Sequence, residues 1–79
     1  MTLTVDLHGL TEAAAIKVVE KTIASAPKTC EAVLVIHGHQ GGQALKQMLQ
    51  NPNKIRSRRI KRRKYTQNLG ETILELYVD

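Results

Sequence analysis

With 79 residues and one cysteine, Cys30, the chain has room for a single domain over residues 1–79, and no internal disulfide can staple it. A hydrophobic content of 42% excludes a disordered tail, and no apolar run approaches the roughly 20 residues that would cross a bilayer. The net charge of +5 is one block: residues 54–64 hold eight of the twelve basic side chains and no acid. Such a block is the footprint of a phosphate-backbone binder, against the alternative of a solvated edge that keeps the protein soluble. The absence of Trp and Phe makes the core aliphatic. The lone cysteine suits a reducing compartment, and the N-terminus has no charged region or small-residue cleavage site. The sequence therefore reads as cytoplasmic and unprocessed.

Residues 2–7 alternate polar and apolar, with Leu3, Val5 and Leu7 on one face, which predicts a strand broken at Gly9. Thr11 is a good helix N-cap, with Glu12 in the first turn. Ala15, Val18, Val19, Thr22, Ile23 and Ala26 then recur at helical spacing until Pro27 stops the helix. Residues 32–36, all apolar, predict a strand buried on both faces. After a glycine-rich turn from Gly38 to Gly42, the residues Ala44, Leu45, Met48 and Leu49 predict a short amphipathic helix, stopped by Asn51, Pro52 and Asn53. In the basic block Ile55 and Ile60 have opposite parity, so a bulge or a short strand is implied. Asn68, Leu69 and Gly70 form a turn. Residues 72–78 are the last strand, with Leu74, Leu76 and Val78 on one side and Ile73 and Tyr77 on the other.

The order is βαβαββ. Right-handed crossovers moving in one direction place both helices on one side of the sheet. The fold class expected is α/β, more narrowly an α+β two-layer sandwich, with a mixed four-stranded sheet and one face uncovered. The last strand, apolar on both sides, belongs inside the sheet. The basic strand pairs with it as a hairpin and forms an edge, where a row of Lys and Arg also blocks sheet-to-sheet aggregation.

Asp6 and His8 close the first strand, and His37, Gly38 and His39 follow the second. If those strands are parallel neighbours, these side chains gather at the carboxyl edge of the sheet, where open α/β sheets bind ligands. The glycines lead into a helix N-terminus, whose free N–H groups favour phosphate. Imidazole moves protons near neutral pH, which suits phosphodiester cleavage. Each residue also has a plainer role: Asp6 closing the Gly9–Thr11 turn, His37 as a satisfied core histidine, His39 as an exposed loop residue, and the glycines serving only turn dihedrals. The set Asp6, His8, His37 and His39 has spacing that permits a divalent metal such as zinc, with nothing fixing a geometry. The reading adopted calls for no cofactor.

Val5-Asp-Leu-His-Gly-Leu10, then a helix, then Val35-Ile-His-Gly with glycines opening a second helix, resembles the Smr (small MutS-related) domain. The turn from Asn68 through Gly70 to Thr72 before the last strand also matches that family, so the resemblance covers nearly the whole chain, as a stand-alone small member. It implies a βαβαββ sandwich like the C-terminal domain of translation initiation factor three, nucleic-acid binding and, in many members, endonuclease activity on DNA or RNA. Asp6 and His8 correspond to the family's Asp-x-His motif. His37 and Gly38 correspond to its His-Gly-x-Gly motif, but Gln40 stands at the second glycine position and the glycines resume at Gly41 and Gly42.

In this reading His8 and His37 are general acid and base, Asp6 orients His8, and Gly38, Gly41 and Gly42 hold the scissile phosphate. Lys54, Arg56, Arg58, Arg59, Lys61, Arg62, Arg63 and Lys64 track the backbone. The alternative is a non-catalytic nucleic-acid or ribosome-binding module. A third reading is a protein-binding module using the uncovered sheet face. No membrane partner is implied, and the expected state is a monomer or weak homodimer.

Overall fold

The computed structural model describes residues 1–38, 43–68 and 70–78, with Gln43 as backbone only. The elements are β1 (Thr2–Asp6), α1 (Glu12–Ser25), β2 (Ala32–Ile36), α2 (Gln43–Gln50), β3 (Ile60–Tyr65) and β4 (Glu71–Leu76). The strands form one sheet in the order β1-β2-β4-β3, with β1 and β2 parallel and β4 antiparallel to both its neighbours. This is the expected mixed α+β sandwich, with β4 inside and the basic strand β3 at an edge. No helix among the described residues is long and apolar enough to cross a membrane.

Alternation decides which side is core. Val33 and Val35 of β2 and Thr72, Leu74 and Leu76 of β4 are buried, while Leu34, Ile36, Ile73 and Glu75 between them are half-buried on the open face. Both helices cover the first side. Ala15, Val19 and Ile23 of α1 and Leu45, Met48 and Leu49 of α2 join the same buried cluster. Ala44, expected with the apolar stripe of α2, is exposed. Helix α1 starts where the sequence predicts, with the Thr11 hydroxyl accepting from the Ala14 N–H at 3.2 Å.

Two strands are shorter than expected. β4 ends at Leu76, and Val78 is 51% exposed instead of continuing the Leu74–Leu76 face. Its partners run out there: Glu75 faces Ala32, the first residue of β2, and Leu76 faces Ile60, the first of β3. β3 covers only the second half of the basic block. Ile55 is fully buried in the segment before it, outside any ladder, and the bulge falls between Ile60 and Arg62.

Two arginines of the basic block turn inward. Neither helix carries a basic residue in its last turn, so its terminal carbonyls lack a local cation. Arg59 supplies one to α1: its guanidinium donates to the carbonyls of Ile23 (2.6 Å), Ala26 (2.7 Å) and Pro27 (2.8 Å). Arg63 serves α2 in the same way, donating to Leu49 (2.7 Å) and Ile55 (2.9 Å).

Hydrogen bonds from a charged donor are worth about 1.5–3 kcal/mol. Arg59→Ala should therefore lower the thermal midpoint by roughly 10 °C in a domain this small. Arg59→Lys, which cannot reach three carbonyls with a planar fork, should recover only part of the loss. Circular-dichroism melting measures both; a midpoint unchanged by Arg59→Ala would remove Arg59 from the fold's supports.

Candidate functional site

The carboxyl ends of β1 and β2 lie side by side, and the chain beyond each is folded by its own sequence. After Asp6 the ladder continues for one more bond, from the Leu7 N–H to the Ile36 carbonyl (2.7 Å). A turn then closes from the Leu10 N–H to the Leu7 carbonyl (2.9 Å). Gly9 has φ +82°, the left-handed conformation that a turn of this kind needs at its third residue. The Asp6 carboxylate accepts from the backbone N–H of His8 at 2.9 Å. Asp6 thus orients His8 through its main chain, as an Asx-type turn anchor. Both residues are exposed.

His37 continues the parity of Val33 and Val35, so its ring enters the core side of the sheet and is only 2% exposed. Its Nδ1 lies 2.9 Å from the Gly38 carbonyl and its Nε2 3.0 Å from the Thr72 hydroxyl. A carbonyl only accepts, so in the neutral ring Nδ1 donates and Nε2 takes the hydroxyl proton. Both nitrogens are engaged, and the ring ties β2 to β4 instead of facing solvent beside His8.

Gly38 brings the two strand ends together. Its φ is +88°, and a Cβ placed on it would meet His8 Cδ2 at 3.3 Å, so the missing side chain is the space in which the His8 ring rests. The N–H groups of His37 and Gly38 both donate to the Gly70 carbonyl, at 2.9 and 3.1 Å. The Gly38 N–H expected to meet phosphate is therefore already bonded. The other expected cradle residues, Gly41 and Gly42, lie outside the described residues, as do His39 and Gln40. Among the described residues, no three His, Cys, Asp or Glu side chains gather closely enough to hold a metal ion.

The basic block divides by partner. Arg59 and Arg63 point into the fold. Lys54 pairs with Glu12 at 2.7 Å, and Arg56 bonds the Asn53 carbonyl at 3.2 Å. On the open face Glu75 takes Arg62 at 3.3 Å and Lys64 at 2.6 Å. The Lys64 hydrogen bond, aided by the charges of Lys64, Arg62 and Lys61, holds the Glu75 carboxyl below the usual glutamate range against a smaller opposing effect of burial. Arg58 and Lys61, both exposed, make no direct hydrogen bond or ion pair among the described residues. The cations of the block that stay outside the fold are therefore Arg58, Lys61, Arg62 and Lys64, flanked by Lys54 and Arg56. The division was unread in the sequence, although two helices ending without a cation were a signal for it.

Two outcomes test this geometry. Gly38→Ala forces a side chain into left-handed backbone and against His8, which costs about 1–2 kcal/mol. A melting-point loss of roughly 5–10 °C with altered NMR shifts of the His8 ring is expected. Glu75→Gln releases Arg62 and Lys64. It should tighten nucleic-acid binding several-fold and steepen the slope of log K against log salt by about 0.7 per phosphate newly neutralised on a single strand, as read by titration at several salt concentrations. Acid has a related effect on stability. The contribution of the Glu75 pairings is present above the ordinary glutamate range and fades as pH falls through the lowered pKa.

No curated protein and no solved structure matches the chain. The family model for the Smr domain matches residues 5–75. The match takes in the Asp6–His8 turn, the His37–Gly38 strand end and the Asn68–Gly70 turn that holds them together. The chain therefore belongs to the Smr domain family, a family of nucleic-acid-binding, nuclease-like domains.

Proposed function

We propose that this domain cleaves phosphodiester bonds of a nucleic acid, with RNA as the favoured substrate, and that His8 is the residue that moves the proton. The observation that carries this reading is the placement of His8: its ring is exposed at the carboxyl edge of two parallel strands, seated on Gly38 and held in place by the Asp6 turn. On RNA, His8 would take the proton of a 2′-hydroxyl as its oxygen attacks the adjacent phosphorus. The 5′-oxygen then leaves with a proton from solvent. Arg58, Lys61, Arg62 and Lys64 would hold the flanking phosphates. His37 enters as a positioning residue, because its ring bonds fix Gly38 and hence the surface on which His8 lies.

A second reading, a non-catalytic nucleic-acid or ribosome-binding module, is favoured by one specific observation. His37 and the Gly38 N–H are both engaged within the fold.

Incubation with labelled RNA, single-stranded DNA and duplex DNA, with and without divalent metal, separates the two. For the enzyme, His8→Ala should lower cleavage roughly 10²-fold or more while affinity stays within a few-fold. His37→Ala should lower the melting temperature, with a smaller loss of rate per folded molecule. Binding without cleavage under every condition supports the module. Cleavage unchanged by His8→Ala would refute the assignment of His8.

A further inference from the structure

The chain has two aromatic rings, and neither is in the core. Tyr65, the last residue of β3, is 62% exposed. It pairs with Thr72, so it lies on the helix side of the sheet, and the Lys46 ammonium of α2 sits 4.8 Å from its ring centroid. Between the ring and α2 runs an open groove of about 540 Å³, lined by Lys46, Gln47, Gln50, Asn51, Pro52 and Tyr65. That volume is within the ~300–1,000 Å³ of small-ligand sites. Gln50 contributes to its wall, while its side-chain amide nitrogen is buried and has no hydrogen-bond partner among the described residues.

We infer that this groove seats one unstacked base of a single-stranded nucleic acid; the inference rests on the nucleic-acid reading above and names its substrate class. The ring supplies the stacking surface and Lys46 the positive charge. Stacking on an aromatic face tolerates any base. In a duplex both faces of a base are already stacked, so the groove selects single strands. Placement agrees with the proposed chemistry. Through the ladder Tyr65 is level with Val5, three strand spacings or about 14 Å away across the order β1-β2-β4-β3, and His8 lies three residues farther along. A strand seated there would pass His8 within a few nucleotides.

Fluorescence titrations of the whole chain with oligo(U), oligo(A) and duplex RNA of equal length test this, with melting curves to show that each variant folds. The wild type should bind oligo(U) and oligo(A) more tightly than the duplex. Tyr65→Ala should weaken oligo(U) binding roughly 10-fold or more and leave duplex binding unchanged, whereas Tyr65→Phe should retain it. Equal oligo(U) affinity for wild type and Tyr65→Ala would overturn the groove while the basic edge stood, and so would a preference for the duplex. Failure of the wild type to bind any of the three would overturn the nucleic-acid reading and the groove with it.

Discussion

Both helices of this small fold end on an arginine that comes from elsewhere in the chain. Backbone carbonyls at a helix C-terminus carry partial negative charge and lack intrahelical donors. Here Arg59 takes the carbonyls of Ile23 and the cap residue Ala26 at the end of α1, with that of Pro27 beyond it, and Arg63 takes one at the end of α2 together with the Ile55 carbonyl beyond it. A chain of 79 residues with a single, free cysteine has no disulfide to fix these ends. These two also explain the shape of β3. Ile60 and Arg63 face Leu76 and Leu74, which lie two apart on β4, yet they are three apart on their own strand. A regular strand would put them on opposite faces. The bulge between Ile60 and Arg62 absorbs the extra residue, so that an apolar side chain and a capping arginine both enter the helix side.

At the other end of the sheet, order passes through a single acceptor. The Asn68 side chain takes the Gly70 N–H at 2.9 Å, and its carbonyl takes the Glu71 N–H at 3.1 Å, which aims the Gly70 carbonyl at β2. That carbonyl has two lone pairs and uses them on successive N–H groups, those of His37 and Gly38. His37 adds its ring bonds to the same junction, and Gly38 offers His8 its bare backbone. The exposed imidazole is thus supported by a turn sixty residues away in sequence. This gives a physical reason for the Asn68–Gly70 turn, the His37–Gly38 pair and the Asp6–His8 pair to occur together in one domain.

Much of this was legible in the residues. Alternation and spacing gave the six elements, and the crossover rule placed both helices on one side with β4 inside and β3 outside. His37 was readable too, since its parity with Val33 and Val35 points it into the core, although its proximity to His8 favoured a catalytic role. The inward arginines were not legible. A run of like charges reads as a solvated surface, and only the three-dimensional approach of β3 to two helix ends distinguishes Arg59 and Arg63 from Arg58 and Arg62. Ile55 suggested the bulge by its parity with Ile60, yet it lies before the strand. The bulge instead reconciles Ile60 with Arg63. Tyr65 carried no signal, because its environment is made by α2, which reaches it only through the fold.

The basic edge consequently presents a nucleic acid with far fewer free charges than its sequence suggests. Arg59 and Arg63 are held by carbonyls that phosphate cannot displace without loosening the helices. Arg62 and Lys64 are held by Glu75, a half-buried carboxylate on the open face. Only Arg58 and Lys61 are free of direct partners among the described residues. Glu75 offsets one of the two charges of Arg62 and Lys64, which limits self-repulsion along the strand. The same cations line the only ladder edge that β3 leaves open, where unpaired backbone groups would otherwise invite another strand. The same segment thus caps one helix through Arg59 and the other through Arg63, and on the open face it turns Arg62 and Lys64 toward Glu75.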